Sequence, residues 1–286
     1  MIDVHAHINQ LNFPLTGSTK TFEHIISGAK KAGVQHIISV SESIHDAPDI
    51  LSLARDSNGF IWPAVGLHPV QPLSKEDQRE RSVSLQDLEL FEPLLKDAII
   101  KDEICCVGEV GLDFSLHIIS KNEHNSSEAS EEHLKDIQRQ VFRRQVMVAI
   151  DADLPLNVHS RSAGHHALTI LYECGAKRVI MHAFDGKVSY AKKAVEAGLK
   201  ISYFFSVPPS IVRSPQKQAL VAAVSLTHLL LESDSPALGP ERGVDNEPAN
   251  ILIAAKEIAR IKNVTVEDVV GSLKYHGAKR LKFYIV

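Results

Sequence analysis

At 286 residues, 44% hydrophobic and 23% charged, the chain has the make-up of a folded globular protein and none of the bias of a disordered one. A formal net charge of −4 excludes a large basic face that holds nucleic acid by charge alone, so any such substrate is expected to be gripped locally. Three cysteines, Cys105, Cys106 and Cys174, make no disulfide framework and suit a reducing compartment.

Short β-rich runs alternate with longer helical patterns along the chain. Ile2–His7 reads as a first strand, beginning almost at Met1, which is compatible with a few missing amino-terminal residues. Phe22, Ile25, Ile26 and Ala29 then recur at helical spacing up to Gly33, a residue suited to a carboxyl-terminal cap. His36–Val40 is a second strand and Ala47–Asp56 a helix. Ile61–Leu67 is a third strand, stopped by His68-Pro69, and Ser84–Leu95 a helix. Ile104–Val110 makes the fourth strand, and the polar stretch from Leu116 to Glu132 reads as an exposed loop. Leu134, Ile137, Val141, Val148 and Ala149 mark a long helix. The later strands are Leu156–His159, Val179–Ala183, Lys200–Phe205 and His228–Glu232, with helices at Ala163–Glu173, Val188–Ala197 and Gln216–Val224 between them. Two more helices close the chain, at Ala249–Ile261 and after the Thr265-Val266-Glu267-Asp268 start signal.

Eight strands with helices between them and no linker predict an α/β fold, a closed TIM (β/α)8 barrel in a single domain over residues 1–286. An open doubly wound sheet is the weaker alternative, since no glycine-rich phosphate-binding turn follows the first strand. The amino-terminal Met1-Ile2-Asp3-Val4 is neither a signal peptide nor a basic presequence. The most apolar stretch, Ala219 to Leu231, is broken by Ser225, Thr227 and His228. A cytoplasmic or nuclear protein with no membrane span and no obligate protein partner is expected.

In such a barrel the chemistry sits at the carboxyl ends of the strands. Reading those ends in order gives His5 and His7, His68, Glu109, His159, His182 and Asp234. One strand histidine alone is more often a satisfied core residue, and Asp234 alone could cap a turn. Four histidines and two carboxylates at the same end of five strands are another matter, because imidazole plus carboxylate is a ligand set for Zn²⁺ or Mn²⁺. Six ligands exceed what one catalytic ion needs, so two divalent ions (Zn, Mn or Mg) bridged by Glu109 are expected. Their net positive charge suits an anionic substrate.

At this point the sequence resembles a family. His5-Ala6-His7, Gly66-Leu67-His68-Pro69, Gly108-Glu109-Val110-Gly111-Leu112-Asp113 and Asn157-Val158-His159-Ser160-Arg161 are similar to ordered motifs of TatD-type metal-dependent deoxyribonucleases. His182-Ala183-Phe184-Asp185-Gly186, Glu232-Ser233-Asp234-Ser235-Pro236 and Asn246-Glu247-Pro248-Ala249-Asn250 complete the set. Ser160-Arg161-Ser162-Ala163-Gly164, Ser206-Val207-Pro208-Pro209-Ser210 and Asp234-Ser235-Pro236-Ala237-Leu238-Gly239-Pro240 resemble the animal TatD domain-containing protein 3 group most. The resemblance implies a metallohydrolase acting on nucleic acid, DNA above all, by 3′-exonuclease action and cleavage at abasic sites. It carries the metal ligands onto His5, His7, Glu109, His159, His182 and Asp234. The family's arginine before Asn-Glu-Pro is Asp245 here, and Arg242 nearby is the expected substitute.

The expected mechanism places a water or hydroxide between the metals, its pKa lowered towards neutrality. His5, His7, Glu109 and Asp234 would hold one ion, and Glu109, His159 and His182 the other. Asp234 would take the nucleophile's proton and return it to the leaving oxygen. His68, Arg161, Arg242 and Asn246 are the expected substrate contacts, with an added metal the alternative for His68; His165 and His166 are expected to be solvated, and Cys105-Cys106 to pack. Two competing functions use the same residues: an amidohydrolase-like cleavage of C–N or ester bonds, and a non-catalytic metal-binding barrel.

Overall fold

The computed structural model describes residues 1–9, 20–75, 77–120, 130–196 and 201–281. Its strands are β1 (Ile2–Ala6), β2 (His36–Val40), β3 (Ile61–Val65), β4 (Val70–Pro72), β5 (Glu80–Ser82), β6 (Cys106–Gly111), β7 (Leu156–His159), β8 (Arg178–Met181), β9 (Ser202–Val207) and β10 (Leu229–Leu231). All but β4 and β5 form one sheet in the order β1-β2-β3-β6-β7-β8-β9-β10, every neighbouring pair parallel. That order never reverses, which rules out the doubly wound alternative, whose order turns back at a switch point.

The sheet curls into a nearly closed barrel. Its last strand meets its first through the segment beyond β10: the Asp234 N–H donates to the His5 carbonyl at 2.9 Å and the His7 N–H to the Ser235 carbonyl at 2.8 Å. Closure therefore occurs at the carboxyl end, where β1 and β10 deliver the residues of interest.

Helices connect the strands: α1 (Phe22–Lys31), α2 (Ala47–Asp56), α3 (Leu85–Ile100), α4 (Leu116–Ile119), α5 (Glu131–Asp151), α6 (Gly164–Cys174), α7 (Val188–Glu196), α8 (Pro215–Ala223), α9 (Ile251–Lys262) and α10 (Val266–Leu281). Several starts are written locally. Ser84 and Asp87 form a capping box at α3, and Thr265 and Asp268 satisfy each other's backbone N–H groups at α10. Strands buried on both faces build two apolar layers. Val4, Ile38, Ala64, Cys106, Phe204 and Leu230 fill the barrel interior, while residues such as Ile37, Val107, Val158 and Leu231 pack outward against the helices.

The structure departs from the sequence reading in places. The stretch between His68 and Ser84 carries an antiparallel hairpin, β4 with β5, and the expected loop after Leu116 begins with the single turn α4. Three-residue strands with prolines in or beside them give no periodic signal. Lys200 and Ala197, expected to begin a strand and end a helix, lie outside the described residues, as do residues 121–129 of the expected loop. No described helix is long and apolar enough to cross a membrane.

Candidate metal centre

Strand phase brings the site together, with two corrections that simple alternation misses. In β1 the pairing register slips between Asp3 and Ala6, so Val4 belongs to the barrel interior while His5 and His7 both face its mouth and Ala6 packs outward. A like irregularity between Val107 and Val110 turns Glu109 to the same mouth. Glycines permit it. A Cβ on Gly108 would stand 2.6 Å from that of Asn157, and one on Gly111, at φ +148°, would stand 2.0 Å from the His159 carbonyl oxygen. On the regular strands, alternation suffices: Asn157 and His159, Ile180 and His182, Leu230 and Glu232 point inward.

The two oxygens of Glu109 divide the histidines into two sets. Oε2 lies 3.4 Å from His5 Nε2 and 3.6 Å from His7 Nε2. Oε1 lies 2.9 Å from His159 Nδ1, 3.7 Å from His68 Nε2 and 3.9 Å from His182 Nε2. Asp234 Oδ1 stands 3.4 Å from both His5 Nε2 and His7 Nε2 and 3.8 Å from His182 Nε2. His5 is wholly buried, and its Nε2 makes no hydrogen bond. Asp234 itself sits at φ +55°, a left-handed conformation that a short polar side chain tolerates and that aims the carboxylate across the mouth.

A second ring of partners orients these imidazoles. Asn157 donates its Nδ2 to the Val4 carbonyl at 2.8 Å, so its Oδ1 must accept from His5 Nδ1, 2.9 Å away. That leaves His5 Nε2 as the face turned to the site. Glu232, fully buried, lies 2.8 Å from His182 Nδ1 and also accepts from Ser206 Oγ and the Ala183 N–H. Asp113 lies 3.2 Å from His159 Nε2. Asn157 and Glu232 each stand two residues before a candidate ligand on a strand, so period-two reading could have found them. Asp113 carried no such signal. From outside, the buried Gln145 brackets the backbone of Leu67 and Gln138 that of Asp113, holding the loops that carry His68 and Asp113.

The expected substrate contacts separate. His68 joins the cage itself, grouped with Glu109 and His159 closely enough to hold one ion. Arg161 is exposed, its Nη1 3.8 Å from Asp113 Oδ2. Arg242 is exposed on the segment between β10 and α9 and makes no hydrogen bond or ion pair among the described residues. Asn246 is corrected: it is fully buried, donates to the Ser233 carbonyl at 2.6 Å and accepts from Asn250 at 2.9 Å. Its amide staples the segment carrying Asp234 and offers nothing to a substrate. His165 is exposed, and Cys106 is buried at the opposite end of β6.

The electrostatics suit a cage that could hold cations. Burial acts to lower the pKa of His7 and His159, but the surrounding carboxylates prevail and raise both to about 9. Burial likewise acts to raise Glu109, yet His5, His68 and His159 hold it well below the usual range. In cation-free protein both imidazoles are thus protonated at neutrality. Raised above their unfolded value of 6.5, they contribute stability that is complete below pH 6.5 and lost as pH rises through about 9. The melting temperature of chelator-treated protein is expected to fall across that window, and a flat or rising profile by circular dichroism would contradict the pairing. Cation affinity should rise over the same window as protons leave the ligands.

The residues fit a metal centre on chemistry alone: imidazole nitrogens and carboxylate oxygens converge, the buried His5 Nε2 makes no hydrogen bond, and His5, His159 and His182 are held from behind. Among the described residues three groups could each hold an ion: His5 with His7 and Glu109, His68 with Glu109 and His159, and His5 with His182 and Glu232. Supporting carboxylates of this kind typically tune affinity by about 10- to 100-fold. Glu232→Gln is expected to weaken cation binding by that order in a chelator competition; unchanged affinity would deny Glu232 its orienting role.

Comparison with known proteins agrees with this architecture. The family model described as TatD related DNase matches residues 2–275. The human protein named deoxyribonuclease TATDN3 is 44% identical over 270 residues, covering 94% of this chain and 90% of that one. A Bacillus subtilis protein described as the uncharacterized metal-dependent hydrolase YabD is 29% identical, covering 98% of each. Among solved structures, the Escherichia coli TatD homologue YJJV superposes with a TM-score of 0.75 at 22% identity, covering 97% of this chain and 96% of its own, a likeness of fold. With a family model spanning nearly its whole length and a human relative this similar, the chain belongs to the TatD-related DNase family.

Proposed function

We propose that this chain hydrolyses phosphodiester bonds in DNA, removing nucleotides from 3′ ends and cutting at abasic sites, with two divalent cations at the barrel mouth. The observation that carries this reading is the division of Glu109, one oxygen towards His5 and His7 and the other towards His68, His159 and His182. A carboxylate so placed is suited to bridging a pair. His5, His7, Glu109 and Asp234 would hold one cation; Glu109, His159 and His182, joined by His68, the other. When bound, such a pair supplies Lewis acidity and lowers the pKa of water near it.

The chain's own groups do the rest. Asp234, hydrogen-bonded through its backbone N–H to the His5 carbonyl, is fixed where it can accept a proton from the attacking water and return it to the leaving oxygen. Glu232, Asn157 and Asp113 keep His182, His5 and His159 in one orientation, so no reorganisation is needed during turnover. Arg161, exposed beside Asp113, is free to swing onto a phosphate. The acidic overall charge is no obstacle, because the positive field is local to the mouth. The human relative's name, a deoxyribonuclease, supports DNA as the substrate class.

The test is incubation of metal-reconstituted protein with end-labelled single-stranded, duplex and abasic-site DNA. Stepwise shortening from the 3′ end and incision at the abasic site are expected. Intact DNA alongside rapid hydrolysis of an amide or carboxylic ester would turn the assignment towards C–N or ester chemistry.

A further inference from the structure

Lys217 occupies the first turn of α8, where its backbone N–H is capped by Ser214 Oγ at 3.3 Å. A cation there opposes the helix dipole, so its value to the protein is not helix stability. Its side chain runs towards the barrel mouth and its Nζ donates to the Ala183 carbonyl at 2.9 Å. Ala183 follows His182 directly and, at φ +38°, donates its own N–H to Glu232. The neighbouring Gln216 donates to the carbonyls of Asp185 and Gly186, so the start of α8 grips the whole turn after β8.

The ammonium is partly buried and lies in the fields of Glu232, Asp185, Asp234 and Arg161. Yet it makes no ion pair among the described residues, and only one of its three N–H donors has a partner. A lysine drawn out of water usually answers a carboxylate. This one is tied to the backbone of the turn that follows His182, within the field of Asp234 and Glu232.

We propose that Lys217 is a substrate-binding residue whose spare N–H donors take a non-bridging oxygen of the substrate phosphate on the His182 side of the cage. This rests on the phosphodiester reading above. It differs from a role for Arg161, which must move from an exposed position, in that Lys217 is already fixed in place. A charge-assisted hydrogen bond of this kind contributes enough to change affinity by about 10- to 100-fold.

Metal-loaded protein and its Lys217→Gln and Lys217→Met variants would be titrated with inorganic phosphate by calorimetry. Metal content and melting temperature would be followed in parallel, with kcat and KM on bis-p-nitrophenyl phosphate. Lys217→Gln removes the charge but keeps an N–H donor on a side chain one atom shorter, whereas Lys217→Met removes both, and the melting temperature reports whether the clamp on the turn is kept. Both variants are expected to weaken phosphate binding by about 10- to 100-fold with metal content unchanged. Phosphate affinity within twofold of the parent in Lys217→Gln would overturn the proposal and leave Lys217 a clamp of the turn. Should the parent itself neither bind phosphate nor cleave the diester, the phosphodiester reading falls and this inference with it.

Discussion

Asp234→Asn is expected to lower phosphodiester turnover by about 10²- to 10⁴-fold while leaving most of the bound metal in place. The substitution is mild in every respect but one. Asn tolerates the left-handed backbone at φ +55°, keeps an oxygen for the histidines that face Oδ1, and leaves the backbone bond to His5 untouched. The Asn246 staple that holds this segment through the Ser233 carbonyl is likewise undisturbed. What is lost is a carboxylate able to receive and release a proton. Rates measured beside metal content separate the two roles: near-normal turnover would remove Asp234 from proton transfer, and loss of both metal and rate would make it a ligand alone.

Glu109→Ala should act the other way, through the cations. Among the described residues Glu109 is the one carboxylate within reach of all five histidines of the mouth, so its loss breaks both sets together. Cation affinity is expected to fall by more than about 100-fold, beyond what loss of a supporting partner costs, and nuclease activity to reach background. The fold should survive. His7 and His159 can release their protons once the carboxylate is gone, so no buried charge is stranded. A variant that keeps two tightly held cations would show that Glu109 bridges nothing. The same protein is the control that excludes a contaminating nuclease.

Much of this was legible in the sequence because parallel barrels write their plan in a simple code. Runs such as His36–Val40 are short and rich in β-branched apolar residues, and helices between the strands carry amphipathic spacing and caps. The candidate ligands stood out as polar residues closing apolar strands. What stayed hidden depends on contacts between distant segments. The register slips in β1 and β6 leave no mark on hydrophobic alternation, although they decide that His5 and Glu109 face the mouth. Asn246 reads as a site residue because it is polar and near others, whereas its burial and its bond to Ser233 come from a turn only the fold creates. His68 ends its strand beside a proline, and nothing local says that it reaches Glu109. The β4–β5 hairpin is too short to carry a period.

The central claim is a matter of position, and anomalous scattering from a crystal soaked with zinc measures it most directly. Two peaks are expected, one in contact with His5, His7, Glu109 and Asp234, the other with Glu109 and His159, both touching the same carboxylate. A single peak remote from Glu109, or none in the barrel mouth at saturating zinc, would contradict the account.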